Sequence, residues 1–333
     1  MDVTHVFIDT SVYLKFYTFS NADIEELKKI SALIKAGKLK LYVPTLVVDE
    51  FYRNRESRLK HAMQQFKGSG PSNSVPRFIH GYDQYKEFKE LTKKWNELRD
   101  RLADEAEKAA LDRAFPADKL FEQIVQVATS IEPSDDVIEK AERRRVLGNP
   151  PGKKDSLGDQ LNWEMLLDAV PDGETLFVVV DDKDYASLLR ADRPRDVLAM
   201  EWEKRKGGGT LTLFSELKPF LAAKFPDIKL AADVEKSVAI DGLLYSGTFA
   251  QTHEAIRKIT PMLEALDNAD AVRLIDAGLN NTQICWIASD ADVNAFFLEL
   301  RKRFEPHLDN ELLERLDEKY FPEECSELDD VPF

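Results

Sequence analysis

Cysteine is all but missing: Cys285 and Cys325 are the two in 333 residues. Two thiols cannot build a disulfide framework or a four-thiolate zinc site, and the expected setting is a reducing cytoplasm. No apolar run reaches the roughly 18 residues that a membrane-spanning helix needs, so none is expected. The opening MDVTHVFIDTSVYL lacks the basic, apolar, small-residue order of a signal peptide, and a secreted product is not expected either. The five histidines, at 5, 61, 80, 253 and 307, form no spaced metal set. An excess of basic charge is also absent. With 61 acidic against 46 basic side chains the formal net charge is −15, which argues against binding nucleic acid by bulk charge and leaves that task to local basic patches.

What is present is the composition of a globular chain, 43% hydrophobic, at a length suited to two domains or to one enlarged by insertions. Residues 5–8 are a short β-branched and aromatic run ending in Asp9-Thr10-Ser11, which predicts a buried strand that stops at a carboxylate. After Asn21, the residues Ile24, Leu27, Ile30, Leu33 and Ile34 share one helical stripe, closed by Gly37. Residues 39–43 read as a second strand, and Pro44-Thr45 opens a helix that carries Glu50 in its second turn. Strand, helix, strand, helix is the opening of a parallel α/β sheet. From 53 to about 147 long charged helices take over. Residues 156–167 resume an apolar helical period, TLFVVV at 175–180 is the strongest strand, and it ends in Asp181-Asp182. A last strand is expected at 210–214, after Gly207-Gly208-Gly209, and mainly helical sequence follows. The four tryptophans, Trp95, Trp163, Trp202 and Trp286, are expected as core or interface anchors.

In open parallel sheets ligands sit at the carboxyl ends of the strands. Asp9 and Asp182 occupy such ends, and Glu50 and Asp159, each near a helix start, can reach the same edge. Taken singly, each is also a plain cap or turn residue. Together, four crowded carboxylates raise one another's pKa unless a cation neutralises them, and a hard oxygen-seeking ion such as Mg²⁺ or Mn²⁺ is the natural partner.

The segments VFIDTSVYLKF, LYVPTLVVDEFYR, KDSLGDQLNWEMLL and LFVVVDDKDYASLL resemble the PIN-domain metal-dependent nucleases. In that family the first strand ends in Asp and a small hydroxyl residue, a Glu follows the second strand, an Asp opens a later helix, and a fourth acid follows the next strand. The resemblance implies a three-layer α/β/α fold with a central parallel sheet over 1–215, a helical insertion at about 63–147, and a mainly helical accessory domain over 216–333. It implies Asp9, Glu50, Asp159 and Asp182 as catalytic, metal-holding acids, with Asp155 and Asp184 as auxiliary ligands. It further implies hydrolysis of phosphodiesters, as an endoribonuclease by preference with DNA as the second choice, using Mg²⁺ or Mn²⁺. Asp181 is expected to point to the opposite side from Asp182, and Val180 stands where many relatives carry Thr or Ser.

Positive charge flanks these acids. Arg53 and its neighbours Arg55, Arg58 and Lys60 follow Glu50, and residues 141–155 hold five bases against two acids. Arg53, Arg143, Arg144, Arg145, Lys153 and Lys154 are therefore expected to contact substrate phosphate, with Thr10 and Ser11 in support of a phosphate or of a ligating carboxylate. The C-terminal helices are open to recognising substrate, to a homo-oligomeric contact or to a regulatory protein partner, and the sequence does not choose among these. Two other readings compete: a haloacid-dehalogenase-type phosphatase, which normally needs a second Asp where Ser11 stands, and a catalytically silent RNA- or protein-binding module.

Overall fold

A computed structural model of the chain describes residues 3–18, 23–71, 74–152 and 156–321. It divides into two compact units, Met1–Ala231 and Ala232–Phe333.

In the first unit β1 (Thr4–Ile8) runs into α1 (Thr10–Leu14), followed by α2 (Ile24–Lys35), β2 (Leu39–Pro44) and the long α3 (Thr45–Gly68). Then come α4 (Gln84–Leu111), α5 (Pro116–Val127), β3 (Thr129–Ile131), α6 (Asp135–Leu147), α7 (Gly158–Ala169) and β4 (Leu176–Val179). α8 (Asp196–Arg205), β5 (Leu211–Phe214) and α9 (Leu217–Lys224) complete it. The five strands form one sheet in the order β3-β2-β1-β4-β5, with every pair parallel. Because helices cover both faces, the central strands are mostly apolar: Val6, Phe7, Leu41, Val178 and Val179 are all buried. On one side α2 packs with α5 and meets α9; elsewhere α7 and α8 meet through the rings of Trp163 and Trp202, 5.7 Å apart and both fully buried.

The strand order places a topological switch beside β1, since the chain moves from β1 outward to β2 and β3, then crosses back to β4 on the other side. The end of β1 is tied directly to β4, the Asp9 N–H donating to Val179 O at 2.9 Å. Loops diverge there, and a crevice at the carboxyl ends of the strands is the consequence.

The stretch expected as a helical insertion is not all insertion. β3, only three residues long, pairs with Tyr42, Val43 and Pro44 and adds an edge strand, while Phe121 and Ile124 of α5 are fully buried. Residues from about 115 onward therefore belong with the sheet, which leaves the far half of α3 and α4 as the inserted helices. Of the tryptophans, Trp163 and Trp202 are core residues, while Trp286 is 72% exposed against the ring of Phe249.

The second unit is helical: α10 (Ala231–Leu244), α11 (Phe249–Ile259), α12 (Asn268–Asn280), α13 (Thr282–Trp286), α14 (Ala291–Phe304) and α15 (Asn310–Tyr320). They enclose a core of their own that includes Leu243, Ile256, Leu274 and Phe297. Gly278 lets α12 approach α14, since a Cβ there would lie 2.4 Å from the Phe297 ring. Among the described residues no helix is long and apolar enough to cross a membrane.

Candidate active site

Asp9 is where β1 stops. Its backbone is extended, it caps α1, and its Oδ2 accepts from both the backbone N–H of Ser11 (2.9 Å) and the Ser11 hydroxyl. The carboxyl is 8% exposed. Burial is the largest influence on it and raises its pKa; the Ser11 bonds pull the other way, and the charge of Asp182 adds to the rise.

Glu50 sits in the second turn of α3. Its Oε2 accepts from the Thr10 hydroxyl at 3.2 Å and its Oε1 from the Asn54 amide at 3.4 Å. Burial, followed by the charge of Asp9, raises its pKa, whereas Thr10 and the nearby Arg53 lower it. Thus the two residues after Asp9 each hold a carboxylate: Ser11 fixes Asp9, and Thr10 fixes Glu50. Thr10, at 1% exposure with its hydroxyl also 3.5 Å from Val47 O, is closed to a phosphate. Of the two roles expected for Thr10, its hydroxyl takes the carboxylate-holding one here.

Asp159 lies in the first turn of α7, and one oxygen each of Asp159, Asp182 and Asp184 fall within 4.8 Å of one another. Asp182 Oδ1 accepts from the Asp184 N–H at 2.9 Å, a short-range turn that folds both carboxylates toward the same place. Burial first, then the charges of Asp9, Asp182, Glu50 and Asp184, push Asp159 up to about 7. Five acids from β1, α3, α7 and the loop after β4 thus act on one point. The cations at its margin do not neutralise it. Arg195 stands 3.6 Å from Asp184 Oδ1, and Asp184 Oδ2 is buried with no hydrogen-bond partner among the described residues. Asp181 is turned outward to Lys15, 3.0 Å away, as the strand alternation predicts.

Beneath this cluster the phenols of Tyr13 and Tyr185 are fully buried, with no hydrogen-bond partner among the described residues. Burial, and then Asp9 for Tyr13 or Asp159 for Tyr185, keeps both protonated far above their ordinary range.

The flanking arginines divide. Arg53 stays exposed and close enough to Glu50 to lower its pKa. Arg143 is exposed and Arg145 half-buried on α6. Arg144 is 6% exposed and fully engaged. Its Nε donates to Glu164 at 2.8 Å, its Nη1 to Pro150 O at 2.7 Å, and its Nη2 to Glu201 at 2.5 Å. Glu201 in turn accepts from Trp163 Nε1 at 3.0 Å. Arg144 therefore knits α6, α7 and α8 together and is no phosphate contact, because its guanidinium is spent inside the fold. The signal for it was in the sequence: Glu164 inside the apolar run NWEMLL is an acid that needs a buried partner. Arg55 is likewise internal, its guanidinium taking both oxygens of Asp118 on α5. Lys153, Lys154 and Asp155 lie outside the described residues. Asn54 and Arg195 carry no motif of their own, and helical and loop geometry bring them to Glu50 and Asp184.

The donor set fits a hard divalent cation: carboxylate oxygens only, crowded, with one buried oxygen unpartnered and two further acids pressing on Asp159. A family model described as PIN domain matches residues 6–185, a span that contains all five acids. No curated protein and no solved structure matches the chain.

Proposed function

From the premise that the chain belongs to the PIN-domain family, and so carries a nuclease-type fold, we propose that its first unit is a divalent-cation-dependent nuclease, an endoribonuclease by preference. The observation that carries this reading is the meeting of Asp159, Asp182 and Asp184 within 4.8 Å, under the charges of Asp9 and Glu50, at the switch point of the sheet.

Asp9, Glu50, Asp159, Asp182 and Asp184 would hold Mg²⁺ or Mn²⁺. Such an ion supplies Lewis acidity toward a phosphoryl oxygen and makes water a nucleophile near neutral pH. The chain's own residues do the rest. Ser11 holds Asp9 in one rotamer, Thr10 and Asn54 hold Glu50, and the Asp182–Asp184 turn presents two carboxylates together. Asp159 carries a proton near neutral pH when the cluster is crowded and uncompensated, so occupancy by a cation releases that proton. Arg53 places a positive charge beside Glu50 for an incoming phosphate, with Arg143 and Arg145 as further contacts. The 232–333 unit contributes none of the five acids, and contact with a second copy or with a regulatory protein is its proposed role.

The test is incubation of the full chain with labelled RNA and DNA strands, in Mn²⁺ and in EDTA. Cleavage in Mn²⁺ alone, faster on RNA, is expected; equal cleavage in EDTA, or none of either strand in Mn²⁺, contradicts the proposal.

A further inference from the structure

Beyond Glu50, α3 carries a second charged feature. Arg53, Lys60 and Lys67 recur every seven residues, close to two helical turns, and all three are exposed. Lys60 and Lys67 border a cleft of about 540 Å³ between α3 and the end of α4, with Tyr52 at its upper end and Arg113 across from it. Two of the surrounding side chains are acids, Glu56 and Glu107.

Arg113 is the unusual residue. Its φ of 50° puts it in the left-handed conformation just past the α4 C-cap, Asp112, a position where glycine has no steric penalty. A non-glycine residue held there points to a requirement for its side chain. That side chain lies over the Tyr52 ring, 4.8 Å from its centre, and no carboxylate among the described residues pairs with it. Among the same residues Lys60 and Arg53 also form no ion pair. The other cations are committed: Arg55 to Asp118, and Lys67 to Asp104 and Glu107, each 3.9 Å away. Three cations without an ion pair among the described residues thus lie on or beside one helix, in a chain of net charge −15, with Glu56 and Glu107 as the acids among the cleft's lining. Lys60 lies ten residues beyond Glu50, about 15 Å along the helix axis.

We propose that this cleft is an exosite for the phosphates of a single-stranded nucleic acid, contacted by Arg113 and Lys60, and that Arg53, seven residues before Lys60 on the same helix stripe, carries the strand on to the acids at the start of α3. The inference rests on the nuclease reading above and concerns a surface that supplies no cation ligand.

The test uses the full chain in EDTA, so that binding is read without cleavage. A labelled single-stranded RNA oligonucleotide of mixed sequence is titrated by fluorescence anisotropy across a series of salt concentrations, with a DNA strand of the same sequence as a second arm. Removing one phosphate-binding cation lowers the slope of log affinity against log salt by about 0.7, or about fivefold in affinity at 0.1 M salt. Arg113→Gly is expected to show that decrease while melting at the same temperature as wild type or above it, because the backbone strain is relieved. Arg113→Gln keeps a planar side chain over Tyr52 and must show the same decrease in slope. Asp9→Asn is expected to keep the wild-type slope while losing cleavage in Mn²⁺. Unchanged slopes in both Arg113 variants overturn the exosite and leave the nuclease reading standing if wild type cuts. Arg113-dependent binding with no cleavage in Mn²⁺ sinks the nuclease reading and supports the cleft. Absence of binding to either strand by wild type overturns the exosite outright.

Discussion

In EDTA, raising the pH from about 4 to about 7 should destabilise the first unit, and Asp159→Asn should remove most of that effect. Asp159 titrates at about 7 in place of the ordinary 3.8, through burial first and then the charges of Asp9, Asp182, Glu50 and Asp184. Between those two values the folded chain keeps a proton that the unfolded chain has released. Stability is therefore fully present only below about 4 and falls as the pH rises toward about 7. At about 1.4 kcal/mol per pH unit the gap sets an upper bound of about 4 kcal/mol. Sharing of protons among neighbouring acids and partial access of water reduce this to about 2 kcal/mol. Asp9 and Glu50, both raised, act in the same direction. His5, lowered chiefly by burial, acts in the opposite one. The assay is urea unfolding at a series of pH values followed by tryptophan emission, since Trp163 and Trp202 are fully buried in this unit. Saturating Mn²⁺ should reverse the trend, because deprotonated acids bind it best. A wild-type profile in EDTA that is flat or rises between about pH 4 and 7, or an Asp159→Asn profile that falls as steeply as wild type, would refute the reasoning.

Three further outcomes are expected. Arg144→Ala strands Glu164 and Glu201 without their partner, so urea unfolding should show a destabilisation of about 3–5 kcal/mol; a change below about 1 kcal/mol would mean the network is not structural. Thr10→Val removes the hydroxyl that holds Glu50 at 3.2 Å and should weaken Mn²⁺ binding in calorimetric titration by about tenfold, with an unchanged affinity counting against the orienting role. A chain cut after residue 231 should melt cooperatively, whereas one cut after 215 lacks α9, whose fully buried Phe220 packs on Phe177 and Phe214; equal thermal melts for the two fragments would contradict that packing argument.

The central strands were legible because burial on both faces makes β1, β2 and β4 mostly apolar runs; Asp9 follows β1 directly and Asp182 follows β4 by three residues, whereas Glu50 comes only in the second turn of the helix after β2. β3 was not legible. Three residues, Thr129 to Ile131, half-exposed at the sheet edge, carry no period to recognise, and the strand exists only through its pairing with β2. The acids themselves could be placed from the sequence, but the support beneath them could not, since Thr10 and Glu50 are 40 residues apart. Arg144 shows the opposite failure. In the run Arg143-Arg144-Arg145 all three looked like surface charge, yet one turn of helix aims the middle residue at Glu164 and Glu201 and leaves Arg143 in solvent. Composition cannot separate those neighbours; only the helical phase against α7 and α8 can.

The measurement that bears most directly on the central claim is the rate of Mn²⁺-dependent RNA cleavage by wild type and by Asp9→Asn, each first shown to be folded. Asp9→Asn keeps the size of the side chain and removes one charge from a cluster already short of compensation, so its metal-free form should melt at the wild-type temperature or higher. The account expects its cleavage rate to fall by about 100-fold or more. Equal rates for the two proteins would contradict it.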